Sequence, residues 1–195
     1  MRQIRVAQHI SLDGIIQPGG PNENSEFSNG GWMAPYRTAE GATAVAESFG
    51  TGFDLLLGRR TYDLWAGFWP KIKGGPFADK LNAATKYVAN HRPENLLWGP
   101  VRSLGVDVLE GIRCLKAEDG PPLLVCGSAS LSSVLLERGL VDELILAVYP
   151  LLLGRGKRCF KDGADTREFA LVSSKSTATG VLLNTYRYLG SPRTA

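Results

Sequence analysis

Four short groups of residues carry chemistry that could meet a ligand, and each follows a segment that reads as a strand. Gly127, Ser128, Ala129 and Ser130 follow the run at 123–126. A small-residue turn at a helix start offers backbone N–H groups to phosphate, so this turn is a candidate for holding a dinucleotide pyrophosphate. Gly58, Arg59, Arg60 and Thr61 follow the run at 53–57. The planar fork of Arg donates two hydrogen bonds at once to a phosphate. Asn90, His91 and Arg92 follow 86–89, where polar groups could meet an adenosine ribose or its phosphate. Asp13 follows Ser11-Leu12 and precedes Gly14. Each group also has a plainer reading. Ser128 or Ser130 could simply cap a helix, and Thr61 another. Arg59 and Arg60 could be solvated charges. Residues 90–92 could form a surface turn before Pro93. Asp13 could hydrogen-bond its own turn.

Strands and helices must position these groups. Residues 4–10 alternate, with Ile4, Val6 and Gln8 on one face and Arg5, Ala7 and His9 on the other. Residues 36–49 read as a helix ended by Gly50 and Gly52. Then follow a strand at 53–57, a short helix with Leu64 and Trp65, a short helix at 77–84 and a strand at 86–89. Residues 95–109 hold one short strand, and 110–117 a helix. The run 123–126, a helix carrying Leu131, Val134 and Leu135 and closed by Gly139, and a strand at 144–149 read as a βαβ unit. Pro150 stops regular pairing. Residues 169–177 and 181–189, joined by Ala178-Thr179-Gly180, form an antiparallel hairpin. The segment 18–35, rich in Gly, Asn, Ser and Pro, is long for a connection inside a domain. Its Phe27, Trp32 and Met33 suit a flap over a site, or Trp32 plugs the edge of the core.

This succession predicts one α/β domain over residues 1–190 and a frayed tail at 191–195. The sheet is single, doubly wound, mostly parallel and mixed, flanked by helices, with a C-terminal antiparallel hairpin. Ligands of such sheets sit outside the carboxyl ends of the strands, and all four groups share that address.

Composition narrows the function. The 195 residues carry a net charge of +3, with the basic residues scattered, so no nucleic-acid partner is expected. Cys114, Cys126 and Cys159 match no metal or redox spacing, and His9 and His91 are the only histidines. No metal is expected. No apolar run is long enough to cross a membrane, and the N-terminal residues alternate without a signal-peptide core. The expectation is a cytoplasmic protein with a small-molecule substrate and no membrane partner.

In order and spacing, several motifs resemble the dihydrofolate reductase-like superfamily, and within it the reductase domain of bacterial riboflavin biosynthesis. They are Ser11-Leu12-Asp13-Gly14, Gly58-Arg59-Arg60-Thr61-Tyr62, Lys86-Tyr87-Val88, Gly127-Ser128-Ala129, Leu140-Val141-Asp142-Glu143-Leu144, and Pro150 through Gly154-Arg155-Gly156 to Phe160. The resemblance runs over nearly the whole chain. It implies NADPH as cofactor and a homodimer. It gives Gly58, Arg59, Arg60 and Thr61 to the adenosine-side phosphates, and Asn90, His91 and Arg92 to the 2′-phosphate region. Gly127, Ser128, Ala129 and Ser130 take the pyrophosphate, and Ala7 lies where the nicotinamide amide is held.

Two departures stand out. Dihydrofolate reductases carry Gly-Gly at the pyrophosphate turn, where this chain has Gly127-Ser128, so the backbone that Gly-Gly permits is expected to be absent or strained. They also place a carboxylate on the first helix, soon after a Trp-x-x-Pro stretch. Here Trp32-Met33-Ala34-Pro35 matches, but that position falls near Arg37 and the nearest acid is Glu40. This counts against dihydrofolate.

The resulting expectation is an NADPH-dependent reductase. It would transfer hydride to a small heterocycle (pterin-, pyrimidine- or flavin-precursor-like) or to a carbonyl compound. Its work would be mostly positional. Asp13 and Glu40 are the candidate proton donors. Trp32 and Tyr149 would line the substrate side. The alternative is a non-catalytic nucleotide- or small-ligand-binding protein on the same fold, favoured by the Gly-Ser turn and the missing carboxylate. Hydride transfer separates the two.

Overall fold

The computed structural model describes residues 1–17, 29–90 and 95–192. Eight strands form one sheet: β1 (Ile4–Ser11), β2 (Asp54–Gly58), β3 (Lys86–Ala89), β4 (Val101–Ser103), β5 (Leu123–Cys126), β6 (Glu143–Tyr149), β7 (Glu168–Ser176) and β8 (Leu182–Gly190). Their order is β4-β3-β2-β5-β1-β6-β8-β7. The first six strands run parallel, and β8 runs antiparallel to both of its neighbours, β6 and β7. Five α-helices flank the sheet: α1 (Ala39–Ser48), α2 (Arg59–Ala66), α3 (Pro76–Ala83), α4 (Val108–Ala117) and α5 (Ala129–Glu137). This is the mixed, mostly parallel sheet of the dihydrofolate reductase-like fold.

β5, α5 and β6 form the expected βαβ unit, with β1 lying between its two strands, Ala7 opposite Cys126 and Ser11 opposite Tyr149. The burial of β1 explains its place. Ile4, Val6, Ala7, Gln8, Ile10 and Ser11 are all buried, so both faces of the strand need cover.

The sheet separates two cores. On one face Ala7, Leu55, Leu57, Leu124, Cys126 and Ile145 pack against Tyr62 of α2 and Leu81 of α3. On the other, Val6, Ile10, Leu56, Val125 and Leu146 pack against Ile112 and Leu115 of α4 and Leu131 and Leu135 of α5. A third cluster at the β6–β8 side joins Trp32, Ala44, Ala147, Tyr149, Val181 and Leu183.

The helix expected at 36–49 divides. Ala34–Tyr36 is a 3-10 turn, and α1 begins only after Thr38, whose hydroxyl accepts from the Gly41 N–H at 2.9 Å. A hydroxyl cap competes with continuation of the preceding turn. α4 starts earlier than expected because Asp107 caps it, accepting from Glu110 N–H at 3.0 Å. Gly139, at φ +64°, ends α5 as expected: its N–H donates to Leu136 O and the Leu140 N–H to Leu135 O, each at 3.0 Å. Among the described residues no helix is long and apolar enough to cross a membrane.

Candidate active site

The parallel strands bring the carboxyl ends of β1, β2, β3, β5 and β6 to one edge. α2 leaves this edge over one face and α5 over the other, so their first turns converge. Gly58 is the N-cap of α2 and Ser128 that of α5, and neither helix is capped by a side chain. A Cβ added to Gly58 would stand 1.9 Å from Ser128 Oγ and 3.2 Å from Ser128 Cβ. One added to Gly127 would stand 3.6 Å from Thr61 Oγ1. The two glycine turns, distant in sequence, therefore form one small cradle.

Gly127 and Ser128 both adopt left-handed backbone, at φ +62° and +55°. Of the two outcomes expected at this turn the strained one is found, with the strain resting on Ser128, a non-glycine residue at positive φ. In this conformation the Ser128 side chain makes no capping hydrogen bond. Thr61 likewise lies within the first turn of α2 rather than capping it. Ala129 and Ser130 open α5 behind this turn. Gln8 pins the turn from beneath: its Nε2 donates to Gly127 O and Ser132 Oγ, both at 2.9 Å. The sequence reading assigned Gln8 only to a strand face. Its buried amide on an apolar strand was the available signal, since such a group needs partners.

The guanidinium of Arg59 is turned along its own helix, Nε donating to both carboxylate oxygens of Asp63 at 2.9 Å. Arg60 is exposed in the same turn. At the end of β3, Asn90 Nδ2 is buried without a hydrogen-bond partner among the described residues. His91 and Arg92 lie outside the described residues, as does Phe27.

On the α2-side face of β1, Ala7 is followed by His9, whose Nδ1 lies 2.9 Å from the Tyr149 hydroxyl. The Tyr149 ring meets Trp32 edge-on at 4.9 Å and Tyr36 edge-on at 5.5 Å. Trp32 is itself anchored by Nε1, which donates to Gln17 O at 3.1 Å. Burial, aided by the Arg37 charge, lowers the His9 pKa to about 4. Burial raises that of Tyr149, with Arg37 pulling the other way. His9 was read only as a member of a strand face; its partner across the strand pair has no local sequence signal.

Asp13 does not hold a proton at neutral pH. Its carboxylate accepts from Ser11 Oγ at 2.6 Å, Leu153 N–H at 3.1 Å and Gly154 N–H at 2.7 Å. These bonds, the Ser11 hydroxyl foremost, hold its pKa at about 2. The geometry gives it the turn-bonding role. Glu40 is exposed in the first turn of α1. Among the described residues no group of three or more His, Cys, Asp or Glu could hold a metal ion.

The RibD C-terminal domain family model matches residues 2–183, and the chain belongs to this family, that of the riboflavin-pathway reductase domain. It is 30% identical to the uncharacterized protein YyaP of Bacillus subtilis over 141 residues, covering 70% of this chain and 74% of that one. It is 25% identical to YwjB of the same organism over 178 residues, covering 91% and 94%. Among solved structures, it is similar to a pyrimidine reductase-like protein of Corynebacterium diphtheriae, with a TM-score of 0.64 at 14% identity over 96% of this chain and 92% of that one. It is also similar to RibD of Acinetobacter baumannii, with a TM-score of 0.59 at 19% identity over 97% of this chain and 58% of that one. At these identities the structures share the fold.

Proposed function

We propose that this chain is an NADPH-dependent reductase of a small heterocyclic or carbonyl substrate, with a pyrimidine, pterin or flavin precursor favoured over dihydrofolate. The observation that carries the reading is the approach of Gly58 to Ser128. Two helix starts without side-chain caps converge there, and a Cβ on Gly58 would fall 1.9 Å from Ser128 Oγ. First-turn amides at such a crossing suit a pyrophosphate. Asn90 Nδ2, which has no hydrogen-bond partner among the described residues, supplies a donor for an adenosine-side oxygen at the next strand end. The residues present therefore fit the cofactor. When bound, it supplies the hydride. The chain does the positioning: Gln8 fixes the turn, and Trp32, Tyr36 and Tyr149 wall the substrate side. Arg37, near the position where folate reductases carry an acid, argues against a pterin bound in the folate manner.

A cytoplasmic setting belongs to this reading, since all three cysteines are free thiols. So does a homodimer built on the edge strand β7, where Leu171 and Val172 are 57% and 50% exposed. Light scattering on Leu171→Asp should give a monomer; a monomeric wild type removes the dimer from the proposal.

The deciding experiment is a fluorescence titration with NADPH and NADH, followed by NADPH oxidation with a panel of aminopyrimidines, pterins and aldehydes. Micromolar NADPH binding and turnover of one panel class support the reading. No binding of either nucleotide at millimolar concentration overturns it. Binding without turnover would move the protein to the ligand-binding class.

A further inference from the structure

We propose that the Tyr149 hydroxyl is the proton donor of this reduction, and that His9 is the positioning residue that aims it. The inference rests on the reductase reading and adds the acid that Asp13 does not supply.

The pair is built by strand register. His9 lies opposite Ala147 in the parallel β1–β6 ladder, so Tyr149 stands two residues further along on the same face. Nδ1 and Oη are 2.9 Å apart, and among the described residues Oη has no other hydrogen-bond partner. Trp32 and Tyr36, both edge-on, fix the ring. Packing alone does not call for an imidazole here. Phe or Leu would fill such a site without the cost of a half-buried polar ring.

The tautomer decides what the pair can do. With the proton on Nδ1, the imidazole donates to Oη, and the hydroxyl's own proton points away from His9 toward a third partner. Burial keeps the imidazole neutral, which suits this arrangement. Among the described residues the other charged and titratable groups near the pair are few. From the segment before α1 come Tyr36 and Arg37, and Arg37 acts on both His9 and Tyr149. On β1 itself, Arg5 shares the face of His9 but is paired with Glu143 at 2.8 Å. Asp13, past the strand end, is held by Ser11, Leu153 and Gly154.

The step balances as follows. The carbon of the substrate C=N or C=O accepts the hydride. Its π pair moves to the heteroatom, which takes the proton from Tyr149 Oη. The O–H bond breaks and leaves a tyrosinate, stabilised by the His9 Nδ1–H and the Arg37 charge. Water returns the proton before the next turnover.

Two measurements test this. In the first, the tyrosinate absorbance of Tyr149 is followed against pH, isolated by subtracting Tyr149→Phe. His9→Phe should move its midpoint upward by about one pH unit or more. His9→Asn, which can place an amide N–H near the former Nδ1, should restore most of the shift. A midpoint unmoved by His9→Phe overturns the proposal. In the second, turnover is measured with the panel compound that the wild type reduces. Tyr149→Phe should lower kcat at least about 100-fold while leaving NADPH affinity unchanged. A Tyr149→Phe enzyme as fast as wild type overturns the proposal while leaving the reductase reading intact. A wild type that binds no NADPH overturns that reading and the proposal with it.

Discussion

A methyl group on Gly58 would stand 1.9 Å from the hydroxyl oxygen of Ser128. Two βα turns meet at this point, and the residue that crowds it is itself left-handed, at φ +55°. A non-glycine residue in this region costs about 1–2 kcal/mol. Ser128→Gly should therefore raise stability by up to about 1 kcal/mol in urea unfolding, after the entropy cost of glycine, and leave NADPH binding in place. Gly58→Val should abolish NADPH binding. Unchanged stability in Ser128→Gly would mean that the serine hydroxyl compensates for its own strain.

Acid should destabilise the fold through His9. Its folded pKa of about 4 lies below its ordinary value of 6.5. Between these values the unfolded chain binds more protons, so stability rises with pH from 4 to 6.5 and is lost on acidification. The loss is at most about 3 kcal/mol. Asp13 acts in the same direction at lower pH, its contribution being full above 3.8 and lost as pH falls through about 2. His9→Phe should flatten the curve between pH 6.5 and 4 in denaturant titrations. A mutant with the slope of the wild type would place the acid sensitivity elsewhere.

Asp13 separates positioning from chemistry. Its carboxylate fastens Leu153 and Gly154 to the end of β1, and Arg158 Nη1 donates to its carbonyl at 2.9 Å. Asp13→Asn should lower the Tm while the folded fraction keeps its kcat. Loss of kcat with an unchanged Tm would make Asp13 the proton donor instead.

The strands were legible where both faces are covered. Residues 123–126 are a continuous apolar run and 86–89 are apolar after Lys86, and their ends fall where β5 and β3 end. The centrality of β1 was not legible, because strand order is set by pairing between distant segments. The break before α1 had a local signal in Thr38, since a hydroxyl residue ahead of an Ala-rich run is a cap. At the site, the turns at Gly58 and Gly127 could each be read, but not their mutual contact. The pairing of His9 with Tyr149 depends on the β1–β6 register and was hidden for the same reason.

The spacing of Arg59 and Asp63, by contrast, was open to reading as an i,i+4 pair, and it sets a limit on cofactor selectivity. The pair is 32% and 51% exposed. Exposed helix pairs of this kind contribute about 0.3–0.5 kcal/mol. A phosphate dianion can therefore compete with Asp63 for Arg59, since charge-assisted bonds to phosphate are stronger. Asp63→Asn should tighten NADPH by no more than about twofold, the equivalent of losing such a pair. Arg59→Ala should weaken NADPH about tenfold and NADH little, with the difference shrinking as salt is raised. Equal weakening of both nucleotides would place Arg59 at the shared pyrophosphate. No effect on either would leave it as a surface charge held by Asp63.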